Sequence, residues 1–286
     1  MKTIFIAGAS GFIGRNLHEH LKHAYRLLTP QRQELNLLDK EEVDEYFAKK
    51  KIDVVINCAV IGGARPEKLT RSVLSENLAI FFNLLRNRDK YGKMIHFGSG
   101  AEYDKSKPII KAKEEDFGKT IPLDDYGLFK YICSKCIEKE KNIIVLRIFG
   151  LFGKYEDIHH RFISNAILRN LNGLPIIIRQ NVFFDYVYID DFIQITDYFI
   201  SANTHTGFFN VGTGKRIDLF TIANIINKVS ERTSKIIIKN SGLGNEYTCD
   251  NSRLIKEIHN LHFTGMHDAI KALVGWYKDH QNELRL

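Results

Sequence analysis

The chain has 286 residues, 44% of them hydrophobic, and a formal net charge of +7 at pH 7. This length fits one α/β domain with a smaller lobe, and the hydrophobic content excludes an intrinsically disordered chain. The basic residues are spread along the chain, so we expect no nucleic-acid partner. The positive charge instead favours anionic small molecules such as phosphorylated cofactors and nucleotide sugars.

The amino-terminal segment MKTIFIA runs directly into a glycine turn. It is too short for the apolar core of a signal peptide, and no later stretch approaches about 18 uninterrupted apolar residues. We therefore expect a cytoplasmic protein with no membrane partner.

Apolar runs rich in Ile, Val and Phe alternate with longer amphipathic stretches in the first half of the chain. Continuous apolar strands separated by helices predict a parallel sheet covered on both faces and joined by right-handed crossovers. The predicted fold class is α/β, a Rossmann doubly wound parallel sheet. The predicted strands are Thr3–Ala7, Tyr25–Leu28, Ile52–Asn57, Met94–Phe97 and Ile143–Ile148.

The loop Gly8–Gly14 follows the first strand and has the pattern G-x-x-G-x-x-G. Glycines let the backbone approach a pyrophosphate closely, and the amino terminus of the next helix offers unpaired N–H groups. An ordinary strand-to-helix turn can also contain glycines. The position between a strand and a helix, at the start of a βαβ series, indicates a dinucleotide site.

The second strand is followed by Thr29-Pro30-Gln31-Arg32 and not by an acidic residue. An acid at this position hydrogen-bonds the ribose 2′-hydroxyl of NAD, whereas an arginine accommodates the 2′-phosphate of NADP. Arg32 therefore favours NADP, with NAD as the alternative. As a single basic residue, it also fits an ordinary solvated loop position.

The fourth strand runs into Ser99, and a later helix carries Tyr126 and Lys130. Residues four apart share one face of a helix, and a neighbouring ammonium group favours a phenolate. Tyr126 can therefore act as a general acid or base. Ser99 follows the carboxyl end of a strand, where ligands of open α/β sheets bind. Each feature alone also occurs in ordinary turns and solvated helices.

Cys133 and Cys136 form a C-x-x-C within the same predicted helix. No second pair completes a set of four zinc ligands, and four cysteines in a chain of this length do not indicate a disulfide scaffold. We therefore predict no metal site.

A smaller α/β lobe that binds substrate is predicted after about Gly153. We expect an NADP-binding Rossmann domain over 1–153, rejoined by parts of 183–212, and a substrate-binding lobe mainly over 154–286. Helices are predicted over 160–171, 190–201 and 219–230, and short strands near 176–178, 184–188 and 208–212.

Together these motifs resemble the extended short-chain dehydrogenase/reductase family. The resemblance includes the glycine turn, Ser99 with Tyr103 four residues later, and the Y-x-x-x-K pair. Phe184–Asp191 and Phe209–Gly214 are similar to two further family stretches, R-D-F-V-H-V-D-D and N-V-G-T-G. The likeness covers nearly the whole chain and implies an NAD(P)-dependent oxidoreductase acting on a nucleotide-activated sugar held between the lobes.

The resemblance also implies individual roles. Tyr126 would exchange a proton with a sugar hydroxyl or keto oxygen, Lys130 would favour the phenolate and bind the nicotinamide ribose, and Ser99 would orient the oxygen. The residues implied at the cofactor are Gly8, Ser10, Gly11, Phe12, Ile13, Gly14, Arg32, Asn36, Leu37, Cys58, Ala59, Tyr126 and Lys130.

Within the family, the chain resembles the GDP-L-fucose synthase-like 4-keto reductases over Glu34–Asp39 and Phe97–Tyr103. Those enzymes use NADPH and also epimerise their substrate with a Cys and a His. The Cys position falls on Ala101, which cannot transfer protons, and His159 or His160 matches the histidine only loosely. The resemblance therefore implies 4-keto reduction of a nucleotide-activated deoxysugar, for surface polysaccharide, with little or no 3,5-epimerisation.

Two other hypotheses stay open, an NAD-dependent nucleotide-sugar 4-epimerase and a non-catalytic NADP-binding regulator. Dehydration is disfavoured, because family dehydratases carry an Asp-Glu pair where this chain has Gly100-Ala101, and Glu102 is displaced by one position and should point elsewhere. The residues implied at the substrate are Gly100, Ala101, His160 and Asn165.

Other departures leave the sugar and the nucleotide open. Gly150 and Phe184 stand where many relatives have a substrate-binding Asn and Arg. Family members commonly dimerise through helices of the first lobe, which implies a homodimer formed by helices over 69–89 and 124–141.

Overall fold

The computed structural model describes residues 1–62 and 71–280. None of the helices in these ranges is long and apolar enough to span a membrane. The strands are β1 (Thr3–Ala7), β2 (Arg26–Leu28), β3 (Ile52–Asn57), β4 (Tyr91–Ser99), β5 (Ile109–Ala112), β6 (Ile143–Ile148), β7 (Gly150–Phe152), β8 (Ile176–Asn181), β9 (Phe183–Phe184), β10 (Tyr186–Tyr188), β11 (Gly207–Val211), β12 (Ile217–Asp218), β13 (Ile236–Leu243) and β14 (Tyr247–Cys249). The α-helices are α1 (Phe12–Leu21), α2 (Lys40–Lys49), α3 (Arg71–Leu85), α4 (Asp125–Ile137), α5 (Phe162–Leu171), α6 (Ile189–Ser201), α7 (Leu219–Val229), α8 (Ser252–Glu257) and α9 (Met266–Asp279).

Six strands form one parallel sheet in the order β2-β1-β3-β4-β6-β11. The predicted doubly wound parallel sheet is confirmed. Because β2 and β3 lie on opposite sides of β1, the direction of winding reverses at β1. Ligands of such sheets bind beside this reversal, at the carboxyl ends of the strands, and the glycine turn follows the carboxyl end of β1.

Helices with apolar sides cover both faces of the sheet. On one face α1 and α6 contribute Leu17 and Phe192, and on the other face α2, α3 and α4 contribute Phe47, Phe81 and Phe129. Each of these side chains is at most 3% exposed, and burying one such side chain contributes about 1.5–3 kcal/mol. Burial on both faces explains why the strands are continuous apolar runs without alternation.

The sixth strand of the sheet comes from the second half of the chain. β11 pairs in parallel with β6, with Phe209 beside Leu146, and α6 packs against α1. Both elements therefore extend the sheet layer built by the first half of the chain. The division into an NADP-binding domain and a substrate-binding lobe remains a prediction.

A separate apolar core is formed by α5, α7 and α9 beside the paired strands β8 and β13. The strand predicted near 184–188 is not continuous, because the chain leaves one sheet at Asp185 and enters another. The buried carboxylate of Asp185 accepts hydrogen bonds from the backbone N–H groups of Thr213 and Gly214. Asp185 thus lies between β9, which pairs with β12, and β10, which pairs with β7.

Glu156 lies between β7 and α5 and is only 7% exposed. Burial raises the pKa of its carboxyl group from 4.5 to about 8, although Ser164 donates a hydrogen bond to it. The folded state then keeps a proton that the unfolded state releases, so stability should fall as pH rises from about 5 to 8.

Glu156→Gln should be more stable than the unsubstituted chain at pH 9, by on the order of 3 kcal/mol, and similar to it near pH 5. Urea unfolding at both pH values measures this difference, and a constant difference would contradict the prediction.

Candidate active site

The glycine turn after β1 brings three backbone segments into close contact. Gly8 has a φ of +76°, and a Cβ atom there would lie 2.8 Å from the Cα atom of Ala59, which follows β3. A Cβ atom on Gly14 would lie 2.2 Å from the carbonyl oxygen of Gly8. Both positions therefore require glycine, and the turn presents bare backbone at the carboxyl edge of the sheet.

The amino terminus of α1 is open to an anion. Gly11 is the N-cap residue, no side chain caps the helix, and the first turn carries no acidic residue. The first N–H groups of a helix have no partner within the helix, and the helix dipole adds positive charge there. The turn therefore fits the pyrophosphate of a dinucleotide.

A cavity of about 190 Å³ extends from this turn toward the end of β2. Arg32 lies exposed at its rim. Within the described ranges, the residues predicted at the cofactor that line this cavity are Gly8, Ser10, Arg32, Asn36, Leu37 and Ala59.

The remaining predicted cofactor residues do not line this cavity. Phe12 and Ile13 form the first turn of α1 and pack against the sheet core, as does Cys58 after β3. Burial raises the pKa of the Cys58 thiol, which therefore stays protonated. Its contribution is packing rather than charge.

Ser99 ends β4 and begins the turn 100–103. Its Oγ atom accepts a hydrogen bond from the Ala101 N–H at 3.1 Å, and its own N–H donates to Oε1 of Glu102 at 2.8 Å. Ser99 and Glu102 thus form a capping box that holds the serine in one position.

The Glu102 side chain points into the interior of the protein. It is fully buried, and its Oε2 atom accepts a hydrogen bond at 2.6 Å from Nε of Arg147, which is 1% exposed. The expectation that Glu102 points elsewhere is confirmed. Gly98 makes room for this ion pair, because a Cβ atom there would lie 2.5 Å from Oε1 of Glu102.

Tyr126 and Lys130 lie in the first turns of α4, whose N-cap Asp124 accepts a hydrogen bond from the Gly127 N–H. The buried Lys130 ammonium group donates to the carbonyl oxygen of Phe97 on β4 at 2.6 Å and lies 6.0 Å from the centre of the Tyr126 ring. Tyr126 is half-buried.

The start of α4 packs directly on the serine turn. A Cβ atom on Gly127 would lie 2.8 Å from the carbonyl oxygen of Ala101. The structure therefore brings Ser99, Tyr126 and Lys130 near the carboxyl end of β4. The action of their hydroxyl, phenol and ammonium groups on one substrate oxygen stays a prediction.

Tyr247 on β14 also reaches this site, although no sequence motif indicated it. Its Oη atom lies 3.5 Å from Oγ of Ser99, and its ring packs on Phe149 and Phe184 at centroid distances of 5.0 and 5.9 Å. Burial, and then the nearby Tyr126 and Glu102, raise the pKa of Tyr247, so its phenol stays neutral. Tyr247 belongs to none of the recognised motifs and stands between the polar residues Glu246 and Thr248, so no sequence signal pointed to it.

Residues 4–212 match the family described as the NAD dependent epimerase/dehydratase family. The chain belongs to this family. It is therefore an oxidoreductase of the extended short-chain dehydrogenase/reductase type with a nicotinamide dinucleotide cofactor, as the sequence motifs predicted. The glycine turn and the open amino terminus of α1 fit the pyrophosphate of such a cofactor.

Two curated relatives are named as GDP-sugar synthases. GDP-L-colitose synthase from Yersinia pseudotuberculosis is 26% identical over 189 residues, which cover 60% of this chain and 61% of that protein. The match thus spans less than two thirds of that relative. GDP-L-fucose synthase from Escherichia coli strain K12 is 22% identical over an alignment that covers 99% of both chains.

A solved structure shares the fold over its whole length. MlghC, a GDP-mannoheptose C4 reductase from Campylobacter jejuni with NADP bound, has a TM-score of 0.78 and 21% identity. The match covers 97% of this chain and 98% of that one. At this identity the likeness supports the family fold and leaves the substrate undecided.

The four predicted substrate residues separate into two pairs in this family fold. Gly100 and Ala101 lie buried in the turn next to Ser99. His160 is exposed, with Nδ1 lying 2.8 Å from a carboxylate oxygen of Asp157, and Asn165 donates to the Ile158 carbonyl at 2.9 Å. These partners, Asp157 and Ile158, lie in the same segment of the chain, and a substrate role for His160 and Asn165 stays a prediction.

A larger cavity of about 510 Å³ lies between β10, the loop before α7 and the start of α9. Its lining includes Lys215 and Arg216, and Arg216 is paired with Glu246 at 3.0 Å.

Across the described residues, no group of three or more His, Cys, Asp or Glu is arranged to hold a metal ion.

Proposed function

We propose that the chain is an NADPH-dependent reductase of the 4-keto group of a nucleotide-activated deoxysugar, acting in sugar-nucleotide biosynthesis for surface polysaccharide. The observation that carries this proposal is the meeting of Ser99, Tyr126 and Lys130 at the carboxyl end of β4. The cavity predicted to bind the dinucleotide lies at the same edge of the sheet, since its lining includes the residues that follow β1 and β3. The names of the relatives, two GDP-sugar synthases and a C4 reductase, agree with it.

In the proposed reaction, Ser99 donates a hydrogen bond to the keto oxygen and orients it. Tyr126 transfers its phenolic proton to that oxygen as the carbon is reduced, and the Lys130 ammonium group stabilises the phenolate that remains. When bound, NADPH supplies the hydride for the carbonyl carbon. The keto group thereby becomes a hydroxyl group.

Gly100 and Ala101, the two residues directly after Ser99, offer no side chain for a second proton transfer. Ala101 stands where relatives that epimerise have a Cys, and it uses its N–H group to hold Ser99. A Cβ atom on Gly100 would lie 2.7 Å from the Tyr247 phenol oxygen and 2.8 Å from the Phe149 ring. An acid there, as in the family's dehydratases, would displace both rings, so the proposal is reduction without epimerisation or dehydration.

Arg32 is proposed to select NADPH by binding its 2′-phosphate. Arg32→Ala should raise the dissociation constant for NADPH roughly tenfold or more and leave that for NADH nearly unchanged, because only NADPH has the charge that the guanidinium would meet. Calorimetric titration with both cofactors measures this. Arg26→Ala, on the exposed β2, is the matched control. Equal weakening of both cofactors would remove the assignment.

The proposed reaction is tested by NADPH oxidation with a panel of dTDP-, CDP- and GDP-4-keto-6-deoxysugars. We expect oxidation with at least one of them and a product epimerised at neither C3 nor C5. Absence of oxidation with every member would refute the reductase.

A 4-epimerase of a nucleotide sugar is the second candidate, because it needs only the same Ser, Tyr and Lys. It predicts that the purified protein carries tightly bound NAD and interconverts C4 epimers without net use of cofactor. Purification without NAD, together with a preference for NADPH, favours the reductase.

We also propose a homodimer in the cytoplasm, formed through α3 and α4. These helices correspond to the predicted ranges 69–89 and 124–141, although the first residues of the former lie outside the described residues. α3 and α4 pack side by side on one face of the sheet, and Phe82 on α3 exposes 42% of its surface.

A further inference from the structure

The Ser99 hydroxyl group has one proton to donate and two lone pairs that accept hydrogen bonds. The Ala101 N–H group occupies one lone pair at 3.1 Å. The Oη atom of Tyr247 lies 3.5 Å from the same Oγ atom and could donate to the second lone pair. If both lone pairs receive protein donors, the serine proton has only the substrate oxygen as its partner.

Tyr247 is suited to be that second donor. Its ring is held on two sides by Phe149 and Phe184, so the phenol oxygen stays against the buried serine turn. Burial raises its pKa, so it keeps its proton, whereas Tyr126 is only half-buried. The two phenols therefore differ, since the buried and neutral Tyr247 has a proton to donate to Ser99 and Tyr126 is reachable from solvent.

We propose that Tyr247 is a positioning residue that donates a hydrogen bond to Ser99 and thereby fixes the serine hydroxyl as a donor toward a carbonyl oxygen. This inference rests on the proposed reductase function and deepens it. A carbonyl oxygen only accepts hydrogen bonds, so a serine whose two lone pairs are occupied is left with one free group, its proton, to donate to that oxygen.

The chain sequence fits this arrangement at Gly100. A Cβ atom there would lie 2.7 Å from the Tyr247 oxygen, so any side chain at this position would push the phenol away from Ser99. The position of the Tyr247 phenol therefore depends on glycine at residue 100.

A double-mutant cycle of Ser99→Ala and Tyr247→Phe tests the proposal. With a 4-keto sugar nucleotide, Tyr247→Phe should lower kcat roughly tenfold, as for one lost hydrogen bond, and leave the NADPH dissociation constant unchanged. In the Ser99→Ala background the same substitution should change kcat less than about twofold. Gly100→Ala should reproduce the Tyr247→Phe loss. Equal losses of kcat in both backgrounds would overturn the positioning role.

Thermal unfolding of the same four proteins provides a readout that does not need activity. Tyr247→Phe should lower Tm by roughly 2–4 °C in the unsubstituted chain and by clearly less beside Ser99→Ala. Tyr91→Phe is the matched control, because Tyr91 is a buried tyrosine whose hydroxyl donates to the Leu84 carbonyl, and its Tm shift should be the same in both backgrounds.

The two readouts separate the failure of this inference from the failure of the proposed function. If no 4-keto sugar is reduced, the reductase proposal fails, and the Tm cycle alone decides whether Tyr247 bonds Ser99. If reduction occurs but the Tm shifts are additive, the Ser99–Tyr247 hydrogen bond is absent and the positioning role falls while the reductase stands.

Discussion

Tyr126→Phe is expected to lower turnover by roughly two orders of magnitude or more and to leave the affinity for NADPH nearly intact. The substitution removes only the phenolic oxygen, which is the proposed proton donor. The ring stays in the first turn of α4, and Lys130 keeps its hydrogen bond to the Phe97 carbonyl. Steady-state kinetics with a 4-keto sugar nucleotide and calorimetric titration with NADPH measure the two effects separately.

Tyr131→Phe is the matched control for this substitution, because Tyr131 lies on the same helix and packs on Phe117, away from the serine turn. It should leave kcat within about twofold of the unsubstituted chain. Unchanged turnover in Tyr126→Phe would refute the assignment of Tyr126 as the acid. Weak NADPH binding in that variant would instead indicate that the substitution disturbs the cofactor site.

Arg147→Ala is expected to lower the free energy of unfolding by about 3–5 kcal/mol, the usual cost of leaving one member of a buried ion pair without its partner. The Glu102 carboxylate would stay at 0% exposure without its partner 2.6 Å away. The guanidinium also stacks 4.1 Å from the centre of the Phe117 ring, and that contact would be lost. Chemical denaturation measures the loss.

Two further variants serve as comparisons for Arg147→Ala. Arg216→Ala removes an ion pair whose arginine side chain is 58% exposed, and it should cost no more than about 1 kcal/mol. The double variant Glu102→Val with Arg147→Met removes both charges and should recover much of the stability lost in Arg147→Ala. A cost for Arg147→Ala as small as that for Arg216→Ala would mean that the buried pair contributes little.

Local patterns were enough to predict the elements of the dinucleotide fold. The strand before Gly8 and the helix after Gly14 follow from an apolar run and a glycine spacing within about twenty residues. Tyr126 and Lys130 share a helix face because they are four residues apart, and this relation holds in any helix. The parallel sheet followed from strands that are mostly apolar and show no alternation with polar residues, a pattern that indicates burial on both faces.

The serine turn illustrates what the sequence could not supply. Glu102 looked like a displaced acid, and its partner Arg147 lies 45 residues away on a neighbouring strand. Tyr247 lies 148 residues from Ser99. Neither contact can be predicted from the number of residues between its partners, because each contact depends on which strands become neighbours in the folded chain. The break between β9 and β10 has the same cause, since the residues that bond Asp185 lie 28 and 29 positions later.

The sequence by itself determined the class of the protein: a dinucleotide cradle, a serine after a strand, and a tyrosine and lysine on one helix face. These are short-range relations, which backbone geometry enforces wherever the segment folds. Only the tertiary structure decided that β11 pairs with β6, that Glu102, paired with Arg147, accepts a hydrogen bond from the Ser99 N–H, and that the Tyr247 phenol lies beside the Ser99 hydroxyl group. Those relations arise from packing between distant segments, because burial of charge and apolar surface, and not sequence spacing, selects which side chains meet.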